Sequence, residues 1–460
     1  MSKLICVQGL GFVGATMAIA IALADSQNGS PLYEVVGVDL PTTSGRQRVK
    51  SINQGKFPFK TIDPKIQLAL DKISLRGNLS ATTNPNVYER AEIIIVDIHF
   101  DISFHENEPK LDFRLFKNSI ETIALRMQPD ALLLIETTVP PGTCENIIAP
   151  LVSKIFVERG FSSSRLLLAH SYERVMPGKN YLDSIINYWR VYSGYSELAA
   201  DMCEEFLSNV INIEEYPLTR LSSTTASETA KVLENTYRAV NIAFIAEWTE
   251  FAETIGIDLF EIIEAIKKRS THENIRYPGL GVGGYCLTKD PTFAAAASRD
   301  LFNIQIDFPF SRLAVNQISQ MPFHAIRKLK DAFQGKLLGK KILICGLSYR
   351  QDVADTRFSP SEILYRGLIA EKSEVDVHDP FVKWWSELEI SIPIELPNFD
   401  NYDAIIFAVP HTLYKNLNLL NYKDSLTSVY VLDAFMVFSI AQRKIFKSQG
   451  INIHAIGVGE

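Results

Sequence analysis

A glycine turn between a predicted strand and a predicted helix constrains the fold of this chain most. Residues 4–8 form a short apolar run, residues 9–14 read GLGFVG, and residues 15–24 favour a helix. A second apolar run at residues 34–39 predicts the next strand. Strand, glycine turn, helix and strand in this order are typical of a dinucleotide-binding unit. The order therefore predicts a parallel sheet covered by helices.

The residues of this turn have distinct expected roles. Gly9 permits the tight turn, Gly11 lets the backbone meet a pyrophosphate, and Gly14 allows close packing of helix on strand. Phe12 and Val13 stand at the start of the helix, whose N-terminus faces the phosphates. We expect all five residues to bind the cofactor. The alternative is a glycine turn that serves only compact packing.

A carboxylate at the end of the second strand indicates which cofactor binds. Asp39 lies 25 positions after Gly14. A carboxylate there can hold the 2′-hydroxyl of a ribose and would repel a 2′-phosphate, so NAD is favoured over NADP. Arg46 and Arg48 follow closely in sequence and keep NADP as the lesser alternative.

The rest of the chain predicts a helical region followed by a second sheet. The first sheet continues with strands at residues 92–97 and 131–136. Between residues 225 and 268 nearly every position predicts helix, with Gly256 ending a long helix and Asp258 capping the next one. Strands of the second sheet are predicted at residues 341–345, 374–378, 404–409, 429–432 and 453–456.

These elements predict an α/β fold with two Rossmann-like parallel-sheet domains joined by a central helical region with a long helix. We place the N-terminal domain at residues 1–215, the central region at 216–330 and the C-terminal domain at 331–460. A chain of 460 residues is too long for one core. The second glycine turn, at residues 346–347, lacks a full GxGxxG, so we assign it no dinucleotide.

Composition excludes several classes of protein. The formal net charge of −7 argues against a nucleic-acid binder, although a few local cations could still hold an anionic small substrate. The five cysteines show no CxxC spacing, which disfavours a disulfide framework or a zinc site and predicts a reducing, cytoplasmic location. The apolar N-terminus is interrupted by glycines, so we expect no signal peptide and no membrane segment. We also expect no bound metal.

Residues 278–290, PGLGVGGYCLTKD, place one cysteine directly after a glycine-rich stretch. The glycines let the backbone approach another group closely, so the segment could deliver Cys286 to a ligand as a nucleophile. The alternative is a buried cysteine ahead of a helix, with Asp290 as the N-cap and Pro291 as the first helical residue. Spacing alone does not separate these two interpretations.

Several separated motifs in one order resemble the UDP-glucose/GDP-mannose dehydrogenase family over essentially the whole chain. The motifs are GLGFVG at residue 9, ETTVPPGT at 136, SYERVMPG at 171, ETAKVLEN at 228, PGLGVGGYCLTKD at 278 and GLSYRQDVADTRFSP at 346. The resemblance implies oxidation of the CH2OH group of a nucleotide sugar to a carboxylate with two NAD. It also implies that Cys286 holds the intermediate as a thiohemiacetal and then as a thioester.

The resemblance implies roles for further residues. Lys231 would stabilise an oxyanion and lower the thiol pKa, and Asn235, four positions later on the same helix face, would donate a hydrogen bond. Asp290 would position a water and the lysine, and Glu173 would act as the base in thioester hydrolysis. Thr138 would lie near that water and the nicotinamide. The alternatives are a solvated helix face for Lys231 and Asn235, and an exposed loop charge for Glu173.

Substrate-binding residues follow from the same resemblance. Tyr349 and Arg350 match an aromatic and cationic pair that contacts the nucleotide. Arg357 could serve the same site, but an ion pair with Asp352 or Asp355 is the simpler account. Besides Glu173 and Lys231, the expected substrate contacts include Arg174 and Gly283.

Two features depart from the family pattern. The family usually has a Thr-Pro segment after the fourth strand, where this chain has VDIHFDISF at residues 96–104, and we expect His99 to have no special role. The ERV-x-PG segment at Glu173 resembles the N-acetylhexosamine branch, whereas GGYCLTKD resembles UDP-glucose enzymes. The alternatives to a UDP-sugar 6-dehydrogenase for surface polysaccharide are a single-step β-hydroxyacid dehydrogenase and a catalytically inactive NAD sensor or scaffold. The central helices and the resemblance suggest a homodimer or higher homo-oligomer.

Overall fold

The computed structural model describes residues 2–105 and 108–459, which divide into two compact units. The first unit comprises Met1–Glu234 and Thr292–Asp307, and the second comprises Asn235–Pro291 and Phe308–Glu460. The long helix Thr224–Thr254 begins in the first unit and ends in the second. The three-domain division made from the sequence stays a prediction.

A mostly parallel sheet forms the centre of the first unit. Its strands are β1 (Lys3–Gln8), β2 (Tyr33–Val38), β3 (Leu79–Thr82), β4 (Ile93–Val96), β5 (Ile102–His105), β6 (Glu108–Leu111), β7 (Leu132–Ile135), β8 (Leu167–Tyr172), β9 (Val191–Gly194) and β10 (Thr219–Arg220). Within the described residues, eight of them form one sheet in the order β3, β2, β1, β4, β7, β8, β9, β10, and β5 pairs with β6 as an antiparallel hairpin. Only the pairing of β8 with β9 is antiparallel in the eight-stranded sheet as described. The first six strands follow the order of a dinucleotide-binding sheet.

Helices cover the sheets. In chain order they are α1 (Phe12–Leu23), α2 (Thr43–Asn53), α3 (Pro64–Arg76), α4 (Arg114–Ala124), α5 (Ala149–Glu158), α6 (Asp183–Ile186), α7 (Glu197–Val210), α8 (Thr224–Thr254), α9 (Leu259–Lys267), α10 (Tyr285–Lys289), α11 (Phe293–Asp300), α12 (Pro309–Ala332), α13 (Pro360–Ala370), α14 (Thr412–Lys415), α15 (Lys423–Leu426) and α16 (Ile440–Ser448). Short 3₁₀ turns lie at Pro85–Arg90, Ser163–Arg165, Ser270–His272, Asp290–Thr292, Phe399–Asn401 and Leu419–Tyr422, and a π-helical turn lies at Cys144–Ile148. In the first unit, α1, α3 and α7 pack on one face of the sheet, and α4 and α5 pack on the other.

The second unit contains the second parallel sheet that the sequence predicts. Its strands are β11 (Lys341–Cys345), β12 (Glu374–His378), β13 (Trp384–Trp385), β14 (Ile390–Ser391), β15 (Ala404–Phe407), β16 (Tyr430–Asp433) and β17 (Ile453–Ala455). Five of the described strands form a parallel sheet in the order β12, β11, β15, β16, β17, and β13 pairs with β14. This is a doubly wound order, so the predicted fold class of two Rossmann-like sheets with a long helix is confirmed.

The predicted boundary between the two central helices is confirmed. Gly256 has a φ of +77° just after α8 ends. Asp258 then caps α9, since its Oδ1 accepts hydrogen bonds from the N–H groups of Phe260 at 2.9 Å and Glu261 at 3.4 Å. Among the described residues, no helix is both long and apolar enough to cross a membrane.

The expectation that Asp290 is the N-cap of the alanine-rich helix is wrong. Asp290 has helical dihedrals, φ −57° and ψ −34°, and opens a 3₁₀ turn directly after α10. The N-cap of α11 is Thr292. The Asp290 carboxylate instead accepts a hydrogen bond from a side chain on α8, as described below.

Candidate active site

The three glycines of the turn after β1 differ in what surrounds them. Gly9 has a φ of +97°, and a Cβ there would lie 2.3 Å from a backbone oxygen of the segment after β4. A Cβ on Gly14 would lie 1.9 Å from the Gly9 oxygen, so helix and turn can touch only without a side chain. Gly11 faces open space, since a Cβ there would meet no residue beyond its neighbours in the chain within 4 Å. Phe12 and Val13 form the start of α1 directly after it.

Asp39 closes this turn from the end of β2. Its Oδ2 accepts a hydrogen bond from the Leu10 N–H at 3.3 Å, and Arg48 binds both carboxylate oxygens, with Nε–Oδ2 2.7 Å and Nη2–Oδ1 3.1 Å. Arg46 donates from Nε to the Pro41 carbonyl at 3.2 Å. Both arginines that favoured NADP are therefore engaged within the protein. A carboxylate beside an open glycine turn fits the ribose of NAD.

Lys231 and Glu173 lie together in the first unit. The Lys231 Nζ donates to the Glu173 carbonyl at 2.7 Å and lies 3.9 Å from the carboxylate Oε1. The Lys231 side chain is 8% exposed and the Glu173 side chain 14%. The alternatives of a solvated helix face for Lys231 and of an exposed loop charge for Glu173 are therefore wrong. The Lys231 ammonium group and the Glu173 carboxylate are therefore close enough to form an ion pair.

Arg174, an expected substrate contact, binds a carboxylate of α8. Its Nε and Nη2 donate to the two carboxylate oxygens of Glu234 at 3.2 Å and 2.9 Å. Nη1 donates to the Trp189 carbonyl at 2.7 Å, and the guanidinium lies 5.2 Å from the centre of the Tyr172 ring. The role of Arg174 in binding substrate stays a prediction.

Thr138 lies partly buried in the loop after β7. Glu228 on α8 binds the backbone of the same loop. The Glu228 carboxylate accepts hydrogen bonds from the N–H groups of Gly142 at 2.6 Å and Cys144 at 2.8 Å. Burial raises the pKa of Glu228 to about 7. Sequence reasoning missed this anchor, although Glu228 opens one of the motifs that carry the family resemblance.

Sequence reasoning also missed a buried charged cluster at the ends of β4 and β7. Glu136 is 1% exposed and Arg190 is 2% exposed, and the Arg190 Nη1 donates to Glu136 Oε1 at 2.9 Å. Asp97 follows β4, and burial followed by the charges of Glu136 and Glu173 raises its pKa well above the ordinary range. Burial also raises the pKa of Glu136. The only sequence signal was that each acid ends a predicted strand.

In the second unit, Cys286 is the exposed cysteine. It is the second residue of α10, which follows Gly284 with its φ of +83°. The other cysteines are all buried: Cys6, Cys144, Cys203 and Cys345. The alternative of a buried, space-filling cysteine is therefore wrong for Cys286.

Asn235 and Asp290 form a buried hydrogen bond in the second unit. The Asn235 Nδ2 donates to Asp290 Oδ2 at 2.8 Å, and each residue is 1% exposed. The alternative of a solvated helix face is wrong for Asn235 as well.

Gly283 and its neighbour pack against the expected nucleotide-binding segment. A Cβ on Gly283 would lie 2.4 Å from the Phe358 carbonyl and 2.8 Å from the Tyr349 Cβ, and one on Gly284 would lie 3.1 Å from the Tyr349 ring. Burial raises the Tyr349 pKa to about 12. The two glycines thus have a packing reason in addition to any approach to a ligand.

The two expected substrate-binding arginines differ in their surroundings. Arg350 is exposed. Arg357 binds Asp355 through Nε–Oδ1 at 2.8 Å and Nη2–Oδ2 at 2.6 Å, which confirms the simpler account of an ion pair. His99 is exposed in the segment after β4.

Three family models match successive parts of the chain. The UDP-glucose/GDP-mannose dehydrogenase family NAD binding domain matches residues 3–211, the central domain matches 225–317, and the UDP binding domain matches 343–440. The confirmed NAD-binding domain agrees with the open glycine turn and with Asp39, so the cofactor is NAD.

Individual relatives match over nearly the full length. The chain is 30% identical over 460 residues to a UDP-N-acetyl-D-mannosamine dehydrogenase of Methanocaldococcus jannaschii, which covers 100% of this chain and 97% of the relative. It is 26% identical to a UDP-N-acetyl-D-glucosamine 6-dehydrogenase of Pseudomonas aeruginosa, covering 93% and 95%. A solved UDP-D-ManNAc dehydrogenase from Pyrococcus horikoshii superimposes with a TM-score of 0.81 at 27% identity, covering 99% of both chains.

Proposed function

The chain belongs to the UDP-glucose/GDP-mannose dehydrogenase family of NAD-dependent enzymes, and from this premise we propose that it oxidises a UDP-N-acetylhexosamine at C6. The product is the corresponding uronate. The names of the two sequence relatives support an N-acetylhexosamine over glucose, and UDP-glucose is the second candidate. The ERV-x-PG segment at Glu173 supports the same choice.

The proposed reaction removes four electrons from one carbon. The alcohol first loses a hydride and a proton to become an aldehyde, and the Cys286 sulfur then bonds to the aldehyde carbon. The thiohemiacetal loses a second hydride and a proton to become a thioester, and water breaks the carbon–sulfur bond. When bound, NAD accepts one hydride in each oxidation. The balance is one alcohol, two NAD⁺ and one water to one carboxylate, two NADH and three protons.

The observation that carries this proposal is the exposure of Cys286 among otherwise buried cysteines. A thiol that forms a covalent intermediate must reach substrate, whereas a structural cysteine has no such need. Covalent capture also has a physical purpose, because a bound thiohemiacetal cannot diffuse away between the two oxidations.

The roles of the remaining groups follow the chemistry of each side chain. Lys231 supplies the positive charge that stabilises the oxyanion, and Asn235 supplies a hydrogen bond. Glu173 takes a proton from the water that cleaves the thioester, and Asp290 and Thr138 orient that water. The contact between Lys231 and Glu173 and the bond between Asn235 and Asp290 support this assignment.

The nucleotide part of the substrate is proposed to bind residues of the C-terminal region. Tyr349 supplies an aromatic surface, and Arg350 supplies a cation for the diphosphate. Gly283 lies against Tyr349, which supports its place near this site. Arg174 is proposed as a further contact. The match of the UDP binding domain to residues 343–440 supports this placement.

Product stoichiometry tests the function. The purified protein is given NAD and, one at a time, UDP-ManNAc, UDP-GlcNAc, UDP-GalNAc, UDP-glucose and GDP-mannose, and NADH and sugar acid are quantified. Two NADH per sugar are expected. One NADH per sugar would instead favour a single-step β-hydroxyacid dehydrogenase, and none from any sugar would favour an inactive sensor.

Cys286→Ser tests the covalent mechanism. We expect the variant to make no sugar acid, and an unchanged yield of acid would overturn the thioester. Thr138→Ser, which keeps the hydroxyl, serves as a control that changes a loop residue without removing its chemistry.

We also propose a homodimer or higher homo-oligomer, supported by an aromatic stripe on α8. Tyr237, Phe244, Trp248 and Phe251 are between 45% and 55% exposed, and their spacing of seven, four and three places them on one helix face. Phe244→Arg with Trp248→Arg should yield a monomer in light scattering. An unchanged mass would refute this interface. A cytoplasmic location and a role in surface polysaccharide synthesis stay predictions.

A further inference from the structure

Three acidic residues end three adjacent parallel strands of the first unit. Asp97 follows β4, Glu136 follows β7, and Glu173 follows β8. Val96 lies opposite Ile135 in the pairing of β4 with β7, so Asp97 and Glu136 are the next pair in register. Adjacent strands lie about 4.8 Å apart, which brings these two side chains together.

Both acids point to the sheet face that α1 and α7 cover. Side chains alternate along a strand, and the apolar residues two and four positions before each acid belong to the core on that face. A Cβ on Gly14 of α1 would lie 3.1 Å from the Asp97 Cβ, and Arg190 Nη2 lies 3.7 Å from Met17 Sδ. Those apolar residues are Ile93, Ile95, Leu132 and Leu134.

The hydrogen bonds at this pair leave two oxygens to be satisfied. Glu136 Oε1 accepts from Arg190, but Glu136 Oε2 and Asp97 Oδ2 are buried and have no donor among the described residues. One arginine therefore stands beside two carboxyl groups. A single proton between the two open oxygens satisfies both and removes the excess negative charge.

We propose that Asp97 and Glu136 form an acid pair that holds one proton at neutral pH and acts as a positioning pair for Glu173. The proton resides on Asp97, because Arg190 holds Glu136 ionised. The pair then carries one negative charge, which Arg190 balances. The role toward Glu173 rests on the proposed function, whereas the shared proton does not.

The groups that face the pair are consistent with this proton. Arg190 directly precedes β9, and Glu173 directly follows β8. Cys203 lies on α7, and burial and then Glu136 raise the pKa of its thiol. The residues of α1 that lie against the pair, Gly14 and Met17, do not titrate. Burial is the first cause of the raised Asp97 pKa, and the charges of Glu136 and Glu173 add to it.

The charge of the pair matters for Glu173 because a neighbouring negative charge disfavours an ionised carboxylate. With one negative charge on the pair, Glu173 is repelled less than it would be beside two. Glu136→Gln removes the remaining negative charge and should favour the ionised base. Asp97→Asn resembles the protonated acid and should leave the charge beside Glu173 unchanged.

The protonation state is tested on the protein without substrate. At neutral pH, the infrared difference spectrum between the wild type and Asp97→Asn should show the loss of a protonated carboxyl band, which Asp101→Asn, an exposed control, retains. Above the ordinary pKa of an aspartate, the folded wild type still holds the proton, whereas the unfolded chain has released it. In urea unfolding, the stability of the wild type should therefore fall as pH rises. The unfolding constant of the wild type relative to Asp97→Asn should increase by up to tenfold per pH unit.

The positioning role is tested by the pH profile of NADH formation. Asp97→Asn should keep the acidic limb of the wild type, and Glu136→Gln should move it to lower pH. Absence of the carboxyl band, or equal pH dependence of unfolding in wild type and Asp97→Asn, would overturn the acid pair. If Glu136→Gln does not fold, the acidic limb of Asp97→Asn decides the role, and a limb that differs from the wild type overturns it. Identical acidic limbs in all variants would also overturn the role toward Glu173. If no sugar gives NADH, the proposed function is refuted, but the acid pair is not.

Discussion

Replacing Asn235 with aspartate should convert a stabilising hydrogen bond into a buried pair of acids. The Asn235 Nδ2 donates to Asp290 Oδ2 at 2.8 Å, and both residues are 1% exposed. Asparagine and aspartate have the same shape, so the substitution changes the charge and the hydrogen-bond donor without leaving a cavity. It therefore isolates the electrostatics of this contact.

The magnitude follows from the distance. Two unit charges 2.8 Å apart repel by about 6 kcal/mol at an effective dielectric constant of about 20. That repulsion corresponds to a rise of about 4 pKa units, so the folded variant should take up a proton at neutral pH. The unfolded chain releases this proton above about pH 4, so the variant loses about 1.4 kcal/mol of stability per pH unit.

Urea denaturation of wild type and Asn235→Asp across this pH range measures the effect. The variant should be close to the wild type at about pH 4 and about 3 kcal/mol less stable at about pH 6. Asn316→Asp, at an exposed position of α12, is the control and should stay within about 0.5 kcal/mol of the wild type. A loss of stability that does not depend on pH would refute the buried contact.

Three other predictions follow from the geometry. Gly14→Ala should destabilise the protein by about 1–3 kcal/mol and weaken NAD binding in calorimetry, because its methyl would meet the Gly9 oxygen, whereas Gly11→Ala should keep wild-type stability. Equal thermal unfolding of the two variants would contradict this. Arg190→Met should lower the free energy of unfolding in urea by about 3–5 kcal/mol, because it leaves the buried Glu136 charge unpaired. Adding Glu136→Gln should restore part of that stability, and no restoration would argue against the ion pair. Brief iodoacetamide treatment of the native protein should alkylate Cys286 alone by mass spectrometry, and labelling of any other cysteine would contradict their burial.

Local chemistry in the sequence predicted much of the fold. The runs that became β1, β4, β7 and β11 are apolar apart from Lys3, Gln8 and Lys341 at strand ends, because parallel strands are buried on both faces. Gly256 and Asp258 act through their own backbone and nearest neighbours, so the helix boundary between them was also predictable.

Contacts between residues far apart in sequence could not be predicted in this way. Asp290 has the local features of an N-cap, but its carboxylate binds Asn235, 55 positions away, and its backbone is already helical. Glu136 and Arg190 are 54 positions apart, and neither lies in a pattern that names the other. Lys231 matched a motif, but its burial against Glu173 depends on how α8 packs on the sheet.

The anchor at Glu228 fixes the rotation of α8 about its own axis. Glu228 binds the backbone of the loop after β7, and Lys231 follows three residues later, so the helix cannot roll without breaking two hydrogen bonds. One residue inserted between them would turn the ammonium group by about 100° around the helix. The number of residues from Glu228 to Lys231 therefore determines the direction in which Lys231 projects from α8. Side-chain substitutions that keep this number should leave that direction unchanged.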